Sequence, residues 1–504
     1  MHLITQTARP KVYLFLGDNR DSAVDLSPYA ISLSASSAVN QAAGSWSVTL
    51  APYQVEGSTL ANIQRIEERY RSIRPNQVVS LGVDEDGGIM LGLVGKVDRS
   101  VSHGGAQASV SLTISGACTG KVLQQDHIIR ASLTVGEMPD FVKKVSQELG
   151  ANNPVIADLP AIWAPISEGG VPTFLGATVA EAVSWLVDTA PSMRVPLLRT
   201  AIGGTGEPRE WLNPDQEITT WNTGRIWSEN PSSYQGDLWG FVTSLIDQDF
   251  YDAWVETVPT GDILPQVRIV VRPKPYDDPD FEWLPVAEQP GLTWPELVTR
   301  IDRKPNHEIE LFEVLRESFS YGDSGEVWSY YTVTSQFDII ANAETEARGL
   351  FYPCLDLWAA KTFGIRAYET HLSLVGADLA RKTIADAEYT ETCGAEIKEF
   401  RNRLVNWYRL NSFYESGSVT VAGRDRYRPG DPVLLPWRVA PRGAELGLRY
   451  YCTAVSWSWS FGAPYTCTLQ LIRGQNPTML REIFAEIRAG ASDPVGNPDR
   501  LAEV

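Results

Sequence analysis

Between Tyr450 and Ile472 the chain runs for 23 residues without a charged side chain. That length is enough to cross a bilayer as a helix, but the pattern forbids one. Tyr451, Thr453, Val455, Trp457, Trp459 and Phe461 alternate with Cys452, Ala454, Ser456, Ser458 and Ser460. A period of two puts the first set on one face of an extended strand and the small second set on the other. Gly462-Ala463-Pro464 interrupts the run, and Tyr465, Cys467, Leu469 and Leu471 alternate back. The segment reads as a long β-hairpin, not a transmembrane span.

The same rhythm fills the first 116 residues. Ile31, Leu33 and Ala35 alternate, as do Trp46, Val48 and Leu50; Val79, Leu81 and Val83; Ile89, Leu91 and Leu93; and Val110, Leu112 and Ile114. Short strands at close spacing predict a small barrel or sandwich, with one helix near Leu60 to Arg71. The Asp84-Glu85-Asp86-Gly87-Gly88 tip joins two of the strands.

Beyond Gly116 the period changes. Phe141, Val145 and Leu149 recur at helical spacing before Gly150, and Val179, Val183 and Leu186 mark a second helix. Asp237 caps a third, carrying Leu238, Phe241, Val242 and Leu245. Strands follow at Tyr251–Thr257, Pro265–Arg272, Leu315–Tyr321 and Val327–Val333. Leu379–Leu410 reads as helical, with Ile397, Phe400, Leu404 and Trp407 on one stripe. Val419 and Val421 restart the strands, Arg428-Pro429-Gly430-Asp431-Pro432 makes a turn, and Val433 and Leu435 open the next strand. A short amphipathic helix, Thr478 to Arg488, precedes a polar tail whose last dozen residues are expected to be disordered.

The fold class expected is therefore mainly β with an α+β middle, two small β-barrel, tube-like modules flanking mixed domains. The divisions are 1–116, an N-terminal β-barrel module; 117–236, a mixed helical and loop-rich insertion; 237–345, an α+β middle domain; 346–417, a helical connection; 418–474, C-terminal β-barrel strands; and 475–504, a tail.

Charge narrows the function. The chain of 504 residues carries a net charge of −19, the wrong sign for a protein that wraps nucleic acid. The Arg-rich stretch Arg424–Arg428 is short and contains Asp425. The five cysteines, Cys118, Cys354, Cys393, Cys452 and Cys467, are widely spaced without a CxxC. They suit buried thiols in a reducing compartment and argue against zinc. Met1–Lys11 lacks the apolar run of a signal peptide.

The chemical motifs fall away when tested. Gly116-Ala117-Cys118-Thr119-Gly120-Lys121 is one residue short of a phosphate-binding loop, with Val122 where a Mg²⁺-binding hydroxyl belongs; a strand-to-helix turn is the better reading. Gly203-Gly204-Thr205-Gly206 does not match GxGxxG. Asp84–Gly88 lacks EF-hand spacing and reads as a solvated hairpin tip. His2, His103, His127, His307 and His371 form no HExxH or helical ligand pair, and no GxSxG elbow occurs. No catalytic, cofactor-binding or metal residue is assigned, and no cofactor is expected. With 62 acidic residues and 16 Trp, a carbohydrate-active enzyme or lectin-like module stays open as an alternative, although no carboxylate pair stands out. Trp457 and Trp459 read as barrel core or interface before they read as a sugar platform.

Five segments in order resemble bacteriophage tail and baseplate hub proteins of the late-control protein D type. They are Ser109–Ile128, which ends the first barrel; Trp239–Thr257 with Val267–Asp277; His307–Val333; Phe363–Thr370; and Gly417–Pro436 with Tyr450–Gly474. Ala151–Arg225 lies outside the resemblance and reads as a peripheral, loop-rich region. The resemblance implies a structural virion protein at the tail tip or baseplate, not an enzyme. It implies a homotrimer whose two barrels per chain form a pseudo-six-fold ring between a six-fold tail tube and a three-fold spike. The partners implied are its own copies, the tail tube protein and the central spike protein, with tape measure and baseplate wedge proteins nearby. DNA would pass the lumen without specific binding, past side chains polar or acidic on balance, and no membrane insertion is implied. A peripheral baseplate component is the remaining alternative.

Overall fold

A computed structural model describes residues 9–17, 20–53, 71–83, 88–104, 107–125, 127–128, 224–226, 236–245, 248–258, 263–274, 307–322, 325–335, 353–372, 374–376, 400–440 and 446–476 except 403, 406, 409 and 441–445, together with 479, 482–483 and 501–503. The expected helices near residues 60–71, 141–149 and 179–188, the Asp84–Gly87 tip, Ile397 and the loop-rich 151–223 lie outside these residues.

The fold is mainly β, and it follows the alternation. In chain order the strands begin with β1 (Lys11–Phe15), β2 (Ala23–Asp25), β3 (Ala30–Ala38), β4 (Ser45–Tyr53), β5 (Val78–Gly82), β6 (Met90–Gly104) and β7 (Gln107–Cys118). Next come helix α1 (Lys121–Gln125), β8 (His127–Ile128), β9 (Gly224–Ile226), β10 (Gly236–Asp237), helix α2 (Leu238–Leu245), β11 (Tyr251–Val258) and β12 (Gln266–Pro273). Then β13 (His307–Glu308), β14 (Val314–Tyr321), β15 (Tyr330–Ser335), β16 (Cys354–Asp356), helix α3 (Leu357–Phe363), β17 (Ala367–Leu372) and β18 (Leu374–Gly376). The last are β19 (Glu415–Ala422), β20 (Pro432–Val439), β21 (Leu446–Ser460), β22 (Thr466–Gln475) and β23 (Leu501–Glu503).

The two ends of the chain build one sheet of 13 strands. Its path is β14-β19-β22-β21-β3-β4-β7-β6-β5-β1-β2, with β20 on the other side of the first half of β21 and β13 on β20. The modules read separately from the sequence are thus hydrogen-bonded together, through β3 and β21. A single apolar core runs behind both halves, including Leu33, Ala35, Trp46, Val48, Val419, Val421, Val455, Trp457 and Trp459. At the joint, Ala35 lies opposite Trp46 on one side and Trp457 on the other. A methyl between two indoles is what lets the ladder close there without overpacking.

The hairpin read from Tyr450–Ile472 is β21 and β22, turning through Gly462 at φ 80°. One detail departs from simple alternation. Cys452 is buried and Thr453 is turned outward, while Val455, Trp457 and Trp459 stay buried. A β-bulge between Cys452 and Ala454 adds one residue to β21 against β22 and exchanges the faces on either side of it. Phe461, expected on the inner face, is 81 % exposed in the turn.

β13 and β14 belong to the C-terminal half of this sheet although residues 322–414 separate them from β19, so that unit is assembled from two pieces of chain. Between them a four-stranded sheet, β17-β15-β16-β23, holds α3. Asp356 caps α3, its Oδ1 accepting from the amides of Trp358 and Ala359 at 3.0 and 3.1 Å. Segment 346–417, read as helical, therefore carries strands as well. Leu501–Glu503, expected to be disordered, pairs with Cys354–Asp356. The Asp237 cap on α2 is present, accepting from the amide of Gly240 at 2.5 Å, and Leu404 and Trp407 bury one stripe of the helical turns through 400–408.

The middle hairpin β11–β12 is locked to both halves of the large sheet. Asp252 accepts from Asn40 Nδ2 at 2.7 Å and from the Tyr451 hydroxyl at 2.6 Å. The Arg428–Pro432 turn, with Gly430 at φ 80°, acts as the second bracket. Arg428 donates from Nε to the Thr257 carbonyl and from NH2 to the Gly88 carbonyl, at 3.1 and 3.0 Å. Asp425 accepts from the Val83 amide at 2.7 Å and the Tyr465 hydroxyl at 2.6 Å. The Arg-rich stretch thus holds domains together.

Candidate functional site

The two halves of the sheet are built on one plan. In the N-terminal half six neighbouring strands run β3-β4-β7-β6-β5-β1; in the C-terminal half they run β14-β19-β22-β21-β20-β13. The correspondence extends to single residues. Ser32, Leu33 and Ala35 face Thr49, Val48 and Trp46; Arg316, Glu317 and Phe319 face Thr420, Val419 and Gly417. A bulge falls between Ala30 and Ser32 in one and between Val314 and Arg316 in the other. A second falls between Val94 and Lys96, and its counterpart between Cys452 and Ala454. A 3-10 turn precedes β3 at Ser27–Tyr29 and β14 at Leu311–Glu313.

The plans part at one end. β1 pairs antiparallel with β5, whereas β13 pairs parallel with β20. Position in the chain makes β13 the counterpart of β2, which lies outside β1 in the N-terminal half. With β1 unmatched, that strand moves in one place and its direction relative to its neighbour reverses.

What the two halves share in side chains lies mostly on the outward face. Ser34 and Ser318, Ser36 and Ser320, Ser45 and Ser416, Ser47 and Ser418, Thr49 and Thr420, Thr113 and Thr468, and Ser100 and Ser458 occupy equivalent positions. The hydroxyls bond across strands. Thr49 Oγ1 and Thr113 Oγ1 are 3.2 Å apart, and the equivalent Thr420 and Thr468 are 2.9 Å apart. Ser36 Oγ meets Ser45 Oγ at 2.8 Å, and the equivalent Ser320 Oγ donates to the Ser416 carbonyl at 3.2 Å. Cross-strand Thr and Ser pairs of this kind stabilise a sheet modestly. The core beneath is shared in part: Val48 and Val419 are equivalent and buried, but Trp46 stands where the C-terminal half has Gly417, and Trp457 stands where the N-terminal half has the exposed Arg99.

A sheet face open to water ordinarily alternates to charged and polar residues. This one is a continuous hydroxyl surface over β14, β19, β22, β21, β3, β4, β7 and β6. Among its described positions the charged side chains are Lys96, Asp98 and Arg316, and Lys96 and Asp98 pair with each other at 2.8 Å. Alternation in the sequence marked only Cys452, Ala454, Ser456, Ser458 and Ser460 as a small face. The wider signal was present as hydroxyls at alternate positions: Ser32-Ser34-Ser36, Ser45-Ser47-Thr49, Ser111-Thr113-Ser115 and Ser416-Ser418-Thr420.

The residues tested for chemistry take structural places. Gly116–Lys121 runs from β7 into the five-residue α1, with Cys118 and Thr119 buried; burial pushes the Cys118 thiol pKa up. Cys118, Cys354, Cys452 and Cys467 are buried. His307 meets Asp431 Oδ2 at 3.0 Å and packs edge-on against Tyr427. Trp457 and Trp459 are core, buried against the sheet rather than presented as a platform. The buried carboxylate of Glu415 is engaged by Arg438 and Tyr450, and the half-buried Asp249 by the hydroxyls of Tyr368, at 2.5 Å, and Thr370. Burial, then the bond to Asp249, raises the Tyr368 pKa. Among the described residues no group of three or more His, Cys, Asp or Glu is arranged to hold a metal, and no helix is long and apolar enough to cross a membrane.

No family model matches the chain, and no curated protein matches it. Among solved structures it is similar to a tail protein from Neisseria meningitidis MC58, with 12 % identity and a TM-score of 0.47 over 94 % of this chain and 98 % of that one. It is similar to the 43 kDa tail protein of prophage MuSo2 from Shewanella oneidensis, at 11 % identity and TM-score 0.43, covering 93 % and 98 %. A third is prophage tail protein gp18 from Listeria monocytogenes EGD-e, at 10 % identity and TM-score 0.40, covering 96 % and 99 %. Phage and prophage tail proteins are what the chain is similar to, in solved structures as in the order of its sequence segments.

Proposed function

We propose that this chain is a structural hub of a bacteriophage tail tip or baseplate, a ring-forming adaptor between the six-fold tail tube and a three-fold central spike. One observation carries the reading: each chain holds two β units of the same strand order and register, side by side in one sheet, with one hydroxyl-lined face in common. Three copies would present six equivalent units to a six-fold partner and three chains to a three-fold one. The hydroxyl face is the natural lining of the ring. It lacks the basic stripe that binds phosphates by counterion release, so DNA would slide past it without adhering. Hydroxyls would make that lining polar, within the polar or acidic character expected of it.

On this reading the partners are further copies of the chain, the tail tube protein and the central spike protein, with tape measure and baseplate wedge proteins in the same assembly. The chain does no catalysis and resides in the virion.

The test is the native mass of the purified chain together with images of the assembled particle. A trimer with both β units at one radius, bordering an axial channel, is expected. A stable monomer, or two units at different radii, overturns the adaptor reading. Lysines placed at Ser34, Ser458 and Thr468 should slow DNA ejection and leave assembly intact; ejection at the unmodified rate would remove the face from the lumen.

A further inference from the structure

The two halves of the sheet differ in how they place charge on the outward face. In the N-terminal half Lys96 and Asp98 stand where the C-terminal half has Ala454 and Ser456. They pair with each other at 2.8 Å, so that departure adds no net charge. In the C-terminal half Arg316 stands where the N-terminal half has Ser32, each opposite a threonine, Thr420 and Thr49. Arg316 is exposed, and among the described residues its side chain makes no ion pair and no hydrogen bond.

The sheet itself does not ask for this cation. Ser32 and Arg316 have the same surroundings: a bulge just before them, a serine two residues on, at Ser34 and Ser318, and a threonine across the ladder. Ser32 shows that a hydroxyl suffices at that place. Even a paired arginine on an open surface adds little to stability, and Arg316 has no carboxylate to pair with. Nor does the cation follow from a basic composition, because the chain carries −19. The side chain therefore answers to something outside the fold. A guanidinium is a planar fork whose parallel N–H donors match a phosphate group. Ser318 and Thr420 set further hydroxyl donors beside it on the same face.

We infer that Arg316 is a phosphate contact: in the assembled ring, one guanidinium from each copy touches the backbone of duplex DNA as it passes and slows it. The inference rests on the lumen reading and adds to it a level at which the wall grips. Three contacts per ring are few beside the roughly 6–10 of a protein that holds DNA. The contact is therefore a brake, and the hydroxyls on either side leave the duplex free to move. It is blind to base sequence, since phosphate contacts carry none.

The test is the rate of DNA release from triggered particles that carry variants of the full chain, followed through a salt series. Arg316→Ser copies the N-terminal half. It should release DNA at least about twofold faster at low salt and at the unmodified rate at high salt, where the charge is screened. Arg316→Lys keeps a cation without the fork and should fall between the two. Arg316→Gln is a second neutral variant and should match Arg316→Ser; if neither assembles, Arg316 is structural and the inference falls. An unchanged rate in Arg316→Ser at low salt overturns it, as does a faster rate that persists at high salt. So does a change confined to the delay before DNA appears, which would assign Arg316 to a protein leaving the channel first. The lysines at Ser34, Ser458 and Thr468 separate this failure from that of the lumen reading. If they slow release while Arg316→Ser does nothing, the face lines the channel and the phosphate contact is wrong. If neither acts, the face lies outside the channel and both readings fall.

Discussion

The N-terminal and C-terminal halves of the large sheet have the same strand order, the same two bulges and the same outward hydroxyls, and they part at several positions of the core. Where the first half sets Leu33 opposite Val48 and Ala35 opposite Trp46, the second has Glu317 opposite Val419 and Phe319 opposite Gly417. Glu317 is bound by Arg438 at 3.0 Å, and the Arg438 guanidinium lies 4.5 Å from the Phe319 ring centre. Cores tolerate exchange so long as volume and pattern are kept. An open sheet face is under less packing constraint still, so hydroxyls that recur there while the core diverges point to a demand from outside the fold.

The comparison can be broken most forcefully at the joint between the halves. Trp457→Ala empties a buried site opposite Ala35 and should cost about 3–5 kcal/mol, seen as a lower denaturation midpoint or insoluble protein; wild-type stability would mean that the two halves do not share a core. Asp425→Ala leaves the Val83 amide and the Tyr465 hydroxyl without their acceptor. A loss of about 2–3 kcal/mol is expected, with proteolysis reporting release of one half from the other. Ala35→Leu overpacks the space between Trp46 and Trp457 and should cost about 1–3 kcal/mol, whereas Phe319, at the equivalent place, already carries a larger ring.

Two smaller effects sharpen it. Tyr427 is buried and its hydroxyl has no hydrogen-bond partner among the described residues; burial, then the charge of Glu313, pushes its pKa up to about 12. Below pH 10 it is protonated folded and unfolded alike, so its contribution is fully present. Between about pH 10 and 12 the unfolded chain ionises first and stability falls. Tyr427→Phe should gain about 1 kcal/mol at neutral pH and flatten the alkaline loss in a pH series of thermal melts. Smallest of all, Thr49→Val and Thr420→Val each remove one partner of an equivalent pair. Equal losses within about 0.5 kcal/mol are expected, and a large difference in chemical denaturation would show that the two pairs are not equivalent.

Much of the local structure was legible because a strand facing a core writes its period into the chain. Trp46-Val48-Leu50, Val419-Val421 and the Tyr450–Ile472 hairpin stand where alternation put them, and the Arg428–Pro432 turn and the Asp237 cap follow from local chemistry. Period two names the face a residue takes but not the strand it pairs with. That is why the sequence left the two β modules apart when β3 and β21 join them, and why Val314–Tyr321 read as part of the middle domain when its ladder lies with Glu415–Ala422. A single inserted residue, Thr453, exchanged the faces of β21 with no mark in the composition. The hydroxyls of the outward face were in plain sight at alternate positions, but a row of serines in one strand has no meaning until eight strands lie side by side. Partner choice belongs to hydrogen bonds between segments hundreds of residues apart, and those bonds only the tertiary structure decides.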